Sequence, residues 1–284
     1  MKSIKTMGNK KKIKNYIIYI VLGLGAIYTL FPLLFLFINS FKGQSQIVSS
    51  PLSLPKNWSL VYIKNAFEQI HLFSSLGYTI LITVLAVGLI VIVSSFTAWI
   101  MVRSKSKLSN ILFLIFTGAM LIPFQSLMYP LISFMDALHL KNIGGLIIMY
   151  GGFGLSLSVF LYHGFLKSVP ASLEEAAIID GANVFQVFFK VIFPLVKPTT
   201  VTVIILNAVW IWNDYLLPFL VLGNSGKKTL TLSLYYAKNL SGQYGNPWEL
   251  VFPSVFIVII PIIILFLFLQ KYIIAGVADG AEKG

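Results

Sequence analysis

The chain has 284 residues, 57% hydrophobic, 14% aromatic and only 11% charged, with a mean hydropathy of +0.88. A soluble domain carries about 25% charged residues, and a chain this apolar has more hydrophobic side chain than one core can hide, so soluble enzymes, disordered proteins and nucleic-acid binders are excluded and the solvent is lipid. The net charge of +12 fits lysines held on the cytoplasmic side of a membrane rather than a nucleic-acid surface, and the absence of cysteine excludes disulfides, Cys-ligated zinc and iron–sulfur clusters.

A spanning helix needs about 20 apolar residues. Six runs meet that length: 16–38, 72–102, 108–135, 142–166, 198–222 and 250–270. The fold class is therefore all-α, a polytopic membrane protein with six transmembrane helices. Lys10, Lys11, Lys12 and Lys14 precede the first run as they would in a signal peptide. The run is too long for one, however, and no small-x-small cleavage site follows, so it reads as an uncleaved first helix. The second and third runs exceed one perpendicular span, which tilt or an interfacial stretch at Phe73-Ser74-Ser75 accommodates. With the N-terminus inside, 14 of the 21 Lys and Arg residues fall on the inner side, which places both termini in the cytoplasm. The chain then divides into an N-terminal tail (1–15), a six-helix membrane domain (16–270) that includes the inner segment 167–197, and a C-terminal tail (271–284). Two outer loops are long, 39–71 and 223–249.

The inner segment 167–197 is amphipathic and rich in helix signals. Pro170 stops the fourth span from continuing. Ser172 and Glu175 are spaced as a capping box, and Glu174 and Glu175 sit near the positive end of the helix dipole. Gly181 suits the left-handed residue that ends a helix, and Asn183 restarts one through residue 192 to Pro194. Ala176, Ala177 and Gly181 are small enough to let another backbone approach closely. On local physics alone the segment is an ordinary interfacial helix or a docking surface.

The pattern of these residues adds a resemblance. Glu175-Ala176-Ala177, three positions, Gly181, nine more, then Val191-Ile192-Phe193-Pro194 resembles the EAA loop, E-A-A-x3-G-x9-I-x-L-P, of the transmembrane subunits of ATP-binding-cassette importers. Pro170 with Glu174, Glu175, Asp180-Gly181 and Ala182 is similar to the carbohydrate-uptake branch. So are Asn39-Ser40-Phe41-Lys42, Trp212-Asn213-Asp214 followed by Pro218, and the tail Gln270-Lys271-Tyr272 to Gly280-Ala281-Glu282-Lys283-Gly284. Val191 and Phe193 replace Ile and Leu, and Glu282 stands where the branch has Val. The resemblance covers essentially the whole chain and lies nearest the maltose-type second permease subunit.

The resemblance implies a type I importer permease fold in a bacterial cell membrane. It implies a second permease subunit, two cytoplasmic ATPase subunits, an extracellular or periplasmic solute-binding protein and a carbohydrate substrate, an oligosaccharide. It makes 172–181 the coupling helix, with Glu174, Glu175, Ala176, Ala177, Asp180 and Gly181 docking on the ATPase and the carboxylates meeting basic groups there. The loop containing Tyr235, Tyr236, Gln243, Tyr244 and Trp248 becomes the contact for the binding protein; otherwise it is a solvated loop with interfacial aromatics.

Asp214 is the one acid well inside an apolar run. It lies about 24 Å along a helix from Pro198, hence in the outer part of a core about 30 Å thick. Intramembrane acids are functional by default, which puts Asp214 with Trp210, Trp212, Asn213 and Tyr215 at the translocation path or outer gate. The alternative is a helix-end acid bonded to Asn213 or to backbone, with the aromatics packing. No P-loop is present: Gly223 to Thr229 has the wrong glycine spacing and reads as a turn, so the chain is not expected to bind ATP or another cofactor itself, and the resemblance assigns ATP and magnesium to the partner ATPase subunits. His71, His139 and His163 are isolated, so no metal site is expected. The rival readings are a self-sufficient secondary transporter, the same importer machinery for a non-sugar solute, and an intramembrane enzyme, for which no catalytic cluster is recognisable.

Overall fold

A computed structural model describes residues 2–223, 225–239 and 246–281. Among them every regular element is a helix. The apolar runs dictate this, because a backbone in lipid has to satisfy its own polar groups. The chain divides into two units, Met1–Ile70 with Tyr236–Ile259, and His71–Tyr235 with Ile260–Gly284.

In the first unit, α1 (Lys2–Asn39) is exposed along most of its apolar length, the surface of a helix whose neighbours are lipid or other chains. Its end is locked by Lys42, an almost fully buried lysine. The ammonium donates to Asn39 Oδ1 at 3.1 Å and to the carbonyls of Ser50 and Pro51 at 3.3 and 2.9 Å. Burial pushes the ammonium below its usual pKa. The short helices α2 (Gln44–Ser49) and α3 (Val61–Gln69) follow. Gln44 and Glu249 hold α2 to the start of the last helix: Gln44 N donates to Glu249 Oε2 at 3.0 Å. Phe35 and Phe37 of α1 meet Phe252 and Phe256 edge-on.

The second unit is built on α4 (Leu72–Ser104), 33 residues and about 50 Å long. It packs against α7 (Ile143–Leu166), and at Gly151 and Gly154 of that helix a side chain has no room. A Cβ on Gly154 would collide with Ile90 and reach Asn207 Oδ1 at 2.7 Å, and one on Gly151 would reach Leu89 at 2.7 Å. Small residues let membrane helices approach in this way. Between them lie α5 (Lys107–Ala119) and α6 (Phe124–Ala137). Next come α8 (Ser172–Ile179), α9 (Val184–Gln186), a π-helical turn Val187–Ile192, α10 (Phe193–Leu195), α11 (Lys197–Asn213), α12 (Leu216–Leu222) and α13 (Leu230–Asn239). The last helix, α14 (Trp248–Ala281), begins in the first unit.

The span reading needs two corrections. The third run is not one straight helix: α5 and α6 meet at 104°, because Pro123 has no amide to donate and caps α6 from an extended conformation. The fifth run is not continuous through Asp214. That residue leaves the helix at φ −77°, ψ 129°, and α12 starts afresh at Leu216. Among the described residues four helices are long and apolar enough to cross a membrane, or up to six if each bent pair is one span.

Candidate coupling helix and outer helix break

The helix α8 and its neighbours follow from local sequence. The expected Ser172–Glu175 capping box does not form. The N-cap is Ala171, whose carbonyl accepts from the amides of Glu174 and Glu175 at 2.9 and 3.1 Å. At the other end Gly181 takes φ +85°, the left-handed conformation its position requires. The Ala182 amide returns to Ala177 O at 2.9 Å and the Gly181 amide to Ile178 O at 3.0 Å, which satisfies the carbonyls left open at the helix end. A reciprocal cap does form one helix later, between Asn183 and Gln186, at 3.0 and 2.8 Å.

The structure separates the six residues expected to dock into two groups. Glu175, Ala176, Asp180 and Gly181 are exposed and Ala177 is half-buried. Beside them Leu173, Ile178 and Ile179 form an exposed apolar edge, Ile179 at 85%. Glu174 points the other way and is 7% exposed. Its carboxylate is bonded within the chain. Trp99 Nε1 donates to Oε2 at 2.9 Å, and Arg103 donates to Oε1 from Nε at 2.7 Å and pairs through a second nitrogen at 2.6 Å. Arg103 also donates to Val169 O at 3.0 Å. Sequence reasoning missed Trp99 and Arg103. Nothing local to either residue marks a partner more than 70 residues away.

The second cluster surrounds Asp214. Its Oδ1 accepts the Leu216 amide at 2.9 Å and so caps α12, and its Oδ2 accepts the Tyr150 hydroxyl at 2.9 Å. Its carbonyl accepts Thr231 Oγ1 at 2.7 Å, which ties the break to α13. Asn213 bonds Val209 O instead, so the partner expected of it is not used. Trp210 meets the buried Tyr150 edge-on at 5.4 Å, and Tyr215 stacks on Tyr235 at 5.3 Å and 19°. Trp212 is buried, and its Nε1 has no hydrogen-bond partner among the described residues. A largely apolar cavity of about 700 Å³ lies alongside, lined by Phe124, Leu131, Met149, Phe153, Asn207 and Trp210.

The remaining expected sites are scattered. Tyr235 and Tyr236 lie on α13, and Trp248 opens α14 and packs on Phe252. Gln243 and Tyr244 lie outside the described residues. The histidines are positioned by backbone and packing. His71 and His139 occupy left-handed positions at helix ends, and His163 stacks on Phe113 at 3.8 Å.

Comparison with known proteins gives a consistent picture. Residues 90–279 match the family model described as binding-protein-dependent transport system inner membrane component. A probable starch degradation products transport system permease protein of Thermoanaerobacterium thermosulfurigenes, AmyC, is 41% identical over 93% of this chain and 97% of its own. The multiple sugar-binding transport system permease protein MsmG of Streptococcus mutans is 37% identical over 98% of this chain and 100% of its own. The melibiose/raffinose/stachyose import permease protein MelC of Bacillus subtilis is 34% identical over 89% and 91%. A bacterial ABC transporter involved in import of the acidic polysaccharide alginate contains a chain of the same fold. Its TM-score is 0.79 at 25% identity, covering 92% of this chain and 96% of that one.

Proposed function

We propose a function on the premise that the chain belongs to the family of binding-protein-dependent transport system inner membrane components, and is an importer permease rather than an enzyme. Its cargo is a carbohydrate, an oligosaccharide, delivered by a solute-binding protein on the outer side. It pairs with a second permease chain, and each permease seats one of two ATPase subunits on the cytoplasmic side. Both termini are cytoplasmic. Hydrolysis takes place in the ATPase subunits, and this chain converts their closure into movement of the spans.

The observation that carries the reading is the two-sided character of α8. One side, with Glu174, is fastened to the end of α4, and the other presents Leu173, Ile178, Ile179, Glu175 and Asp180 to solvent. A short helix held from behind with an apolar and acidic front is suited to insertion in a cleft of a partner. On the opposite reading, a secondary transporter would rely on Asp214 for ion coupling, yet that carboxylate is engaged as a helix cap and by Tyr150. Asp214 and the aromatics around it stand, in this reading, at the outer gate, and α13 and Trp248 stand where the binding protein docks.

The test is purification of the chain from detergent-solubilised native membranes, with mass spectrometry of its companions. An ATPase subunit and a second permease chain should co-purify. The companion binding protein is then screened against maltotriose, melibiose, raffinose and stachyose. A chain that purifies alone and moves these sugars in liposomes under an ion gradient without ATP overturns the proposal.

A further inference from the structure

We infer that Arg103 and Trp99 are positioning residues for coupling: through the buried Glu174 carboxylate they hold α8 rigidly on the end of α4, so that force applied to α8 moves α4. This rests on the proposed function and goes beyond it, since it names how the docking helix is joined to the spans.

Four observations lead to it. First, α8 is only eight residues long and lies between two places where a chain can swivel, Pro170 and the left-handed Gly181. Left to these connections it would yield under load. Second, Arg103 grips the segment twice, at Glu174 in the first turn and at the carbonyl of Val169 just before Pro170. That fixes both the rotation of α8 and its distance from α4. Third, Trp99 serves both sides of the Gly181 turn. Its Nε1 holds Glu174, while its ring packs on the fully buried Phe188 of the π-helical turn at 5.5 Å, with Phe96 also on Phe188 at 4.9 Å. The helices before and after the turn therefore rest on one tryptophan. Fourth, the far end of α4 is joined to the outer elements by the same kind of contact. Ser75 and Ser233 hydroxyls are 2.8 Å apart, and Thr79 Oγ1 accepts the Leu230 amide at 2.9 Å. Since Thr231 of α13 holds the Asp214 carbonyl, a movement of α4 reaches the outer helix break through continuous hydrogen-bonded contacts.

A buried ion pair contributes little net stability against an apolar replacement of similar volume, whereas it does specify one geometry over its neighbours. In the Arg103–Glu174 pair the carboxylate is buried and the guanidinium is half-buried, its side chain 23% exposed. Removing Arg103 alone leaves the Glu174 carboxylate without its charged partner and costs stability as well, so coupling is read per assembled complex.

The experiment uses the complete importer in proteoliposomes: both permeases, the ATPase subunits and the binding protein, with a mixture of maltotriose and raffinose. Coupling is read as ATP hydrolysis with binding protein divided by hydrolysis without it. Arg103→Met is expected to lower that ratio about tenfold, the scale of one charged hydrogen bond, with the ATPase still co-purifying. Arg103→Lys, which keeps the charge, is expected to recover part of it. Trp99→Phe keeps the ring against Phe188 and removes only the Nε1 donor. It gives the same readout if Arg103→Met fails to accumulate. Ile179→Glu, on the exposed edge and away from Arg103, tests docking itself and is expected to strip the ATPase. A full ratio in both Arg103→Met and Trp99→Phe, with Ile179→Glu still stripping the ATPase, overturns this inference and leaves the proposed function standing. No stimulation in the unaltered importer, or full activity in Ile179→Glu, overturns both.

Discussion

At Asp214 a single residue does three things that a helix break in lipid demands, the first through its backbone and the other two through its carboxylate. It terminates α11, supplies an acceptor for the first free amide of α12, and takes the Tyr150 proton donor that would otherwise be buried without a partner. Truncation to alanine leaves two donors unsatisfied and is expected to cost about 2–3 kcal/mol. Asparagine keeps the oxygen that caps Leu216 and offers Tyr150 an N–H in place of an acceptor, so it should cost less than about 1 kcal/mol. Thermal unfolding of the purified chain in detergent separates the two; equal midpoints for Asp214→Ala and the unaltered chain would remove Asp214 from this role. The sequence marks Asp214 plainly, because an acid in an apolar run is conspicuous. It does not mark Tyr150, one more aromatic in a span, whose importance comes from a contact 64 positions away. Glu174 teaches the same lesson in reverse. Its neighbour Glu175 is equally acidic, and only the arrival of Trp99 and Arg103 from α4 decides which of the two turns inward.

At the scale of elements, legibility tracks how local the cause is. The end of α8 at Gly181 and the restart at Asn183 depend on side chains within a few residues, and both stand where the sequence places them. The 104° bend between α5 and α6 was hidden, because one proline inside an apolar run marks a kink, a cap or a tolerated interruption with equal ease. The approach of α4 to α7 was hidden as well: the glycines of residues 151–154 are visible, but not which of them faces the partner. The structure distinguishes them. Gly154→Val forces side-chain atoms into Ile90 and Asn207 and is expected to destabilise by about 1–3 kcal/mol. Gly152→Val, where a Cβ meets nothing within 4 Å, is expected to be close to neutral. The same thermal measurement checks the pair, and a larger loss at Gly152 than at Gly154 would contradict the packing described here.

For the molecule as a whole, the excess of Lys and Arg on one side favours one orientation of the spans, and the orientation decides whether the proposed coupling is physically possible. The absence of cysteine makes this directly measurable, since any introduced thiol is unique. Lys56 and Lys227 are exposed and belong to the loops assigned to the outer side, and Lys105 is exposed in the short turn between α4 and α5 assigned to the inner side. Cysteine at 56 or 227 is expected to react with a membrane-impermeant maleimide on intact cells, and cysteine at 105 only after permeabilisation. A thiol at 179 should follow the pattern of 105 but remain shielded while the ATPase is seated, because Ile179 lies on the exposed edge of α8. Stripping the peripheral subunits before labelling should then expose it. Labelling of 105 from outside would invert the whole chain. It would put α8 on the wrong face for a cytoplasmic partner and leave the Glu174–Arg103–Trp99 attachment with nothing to transmit.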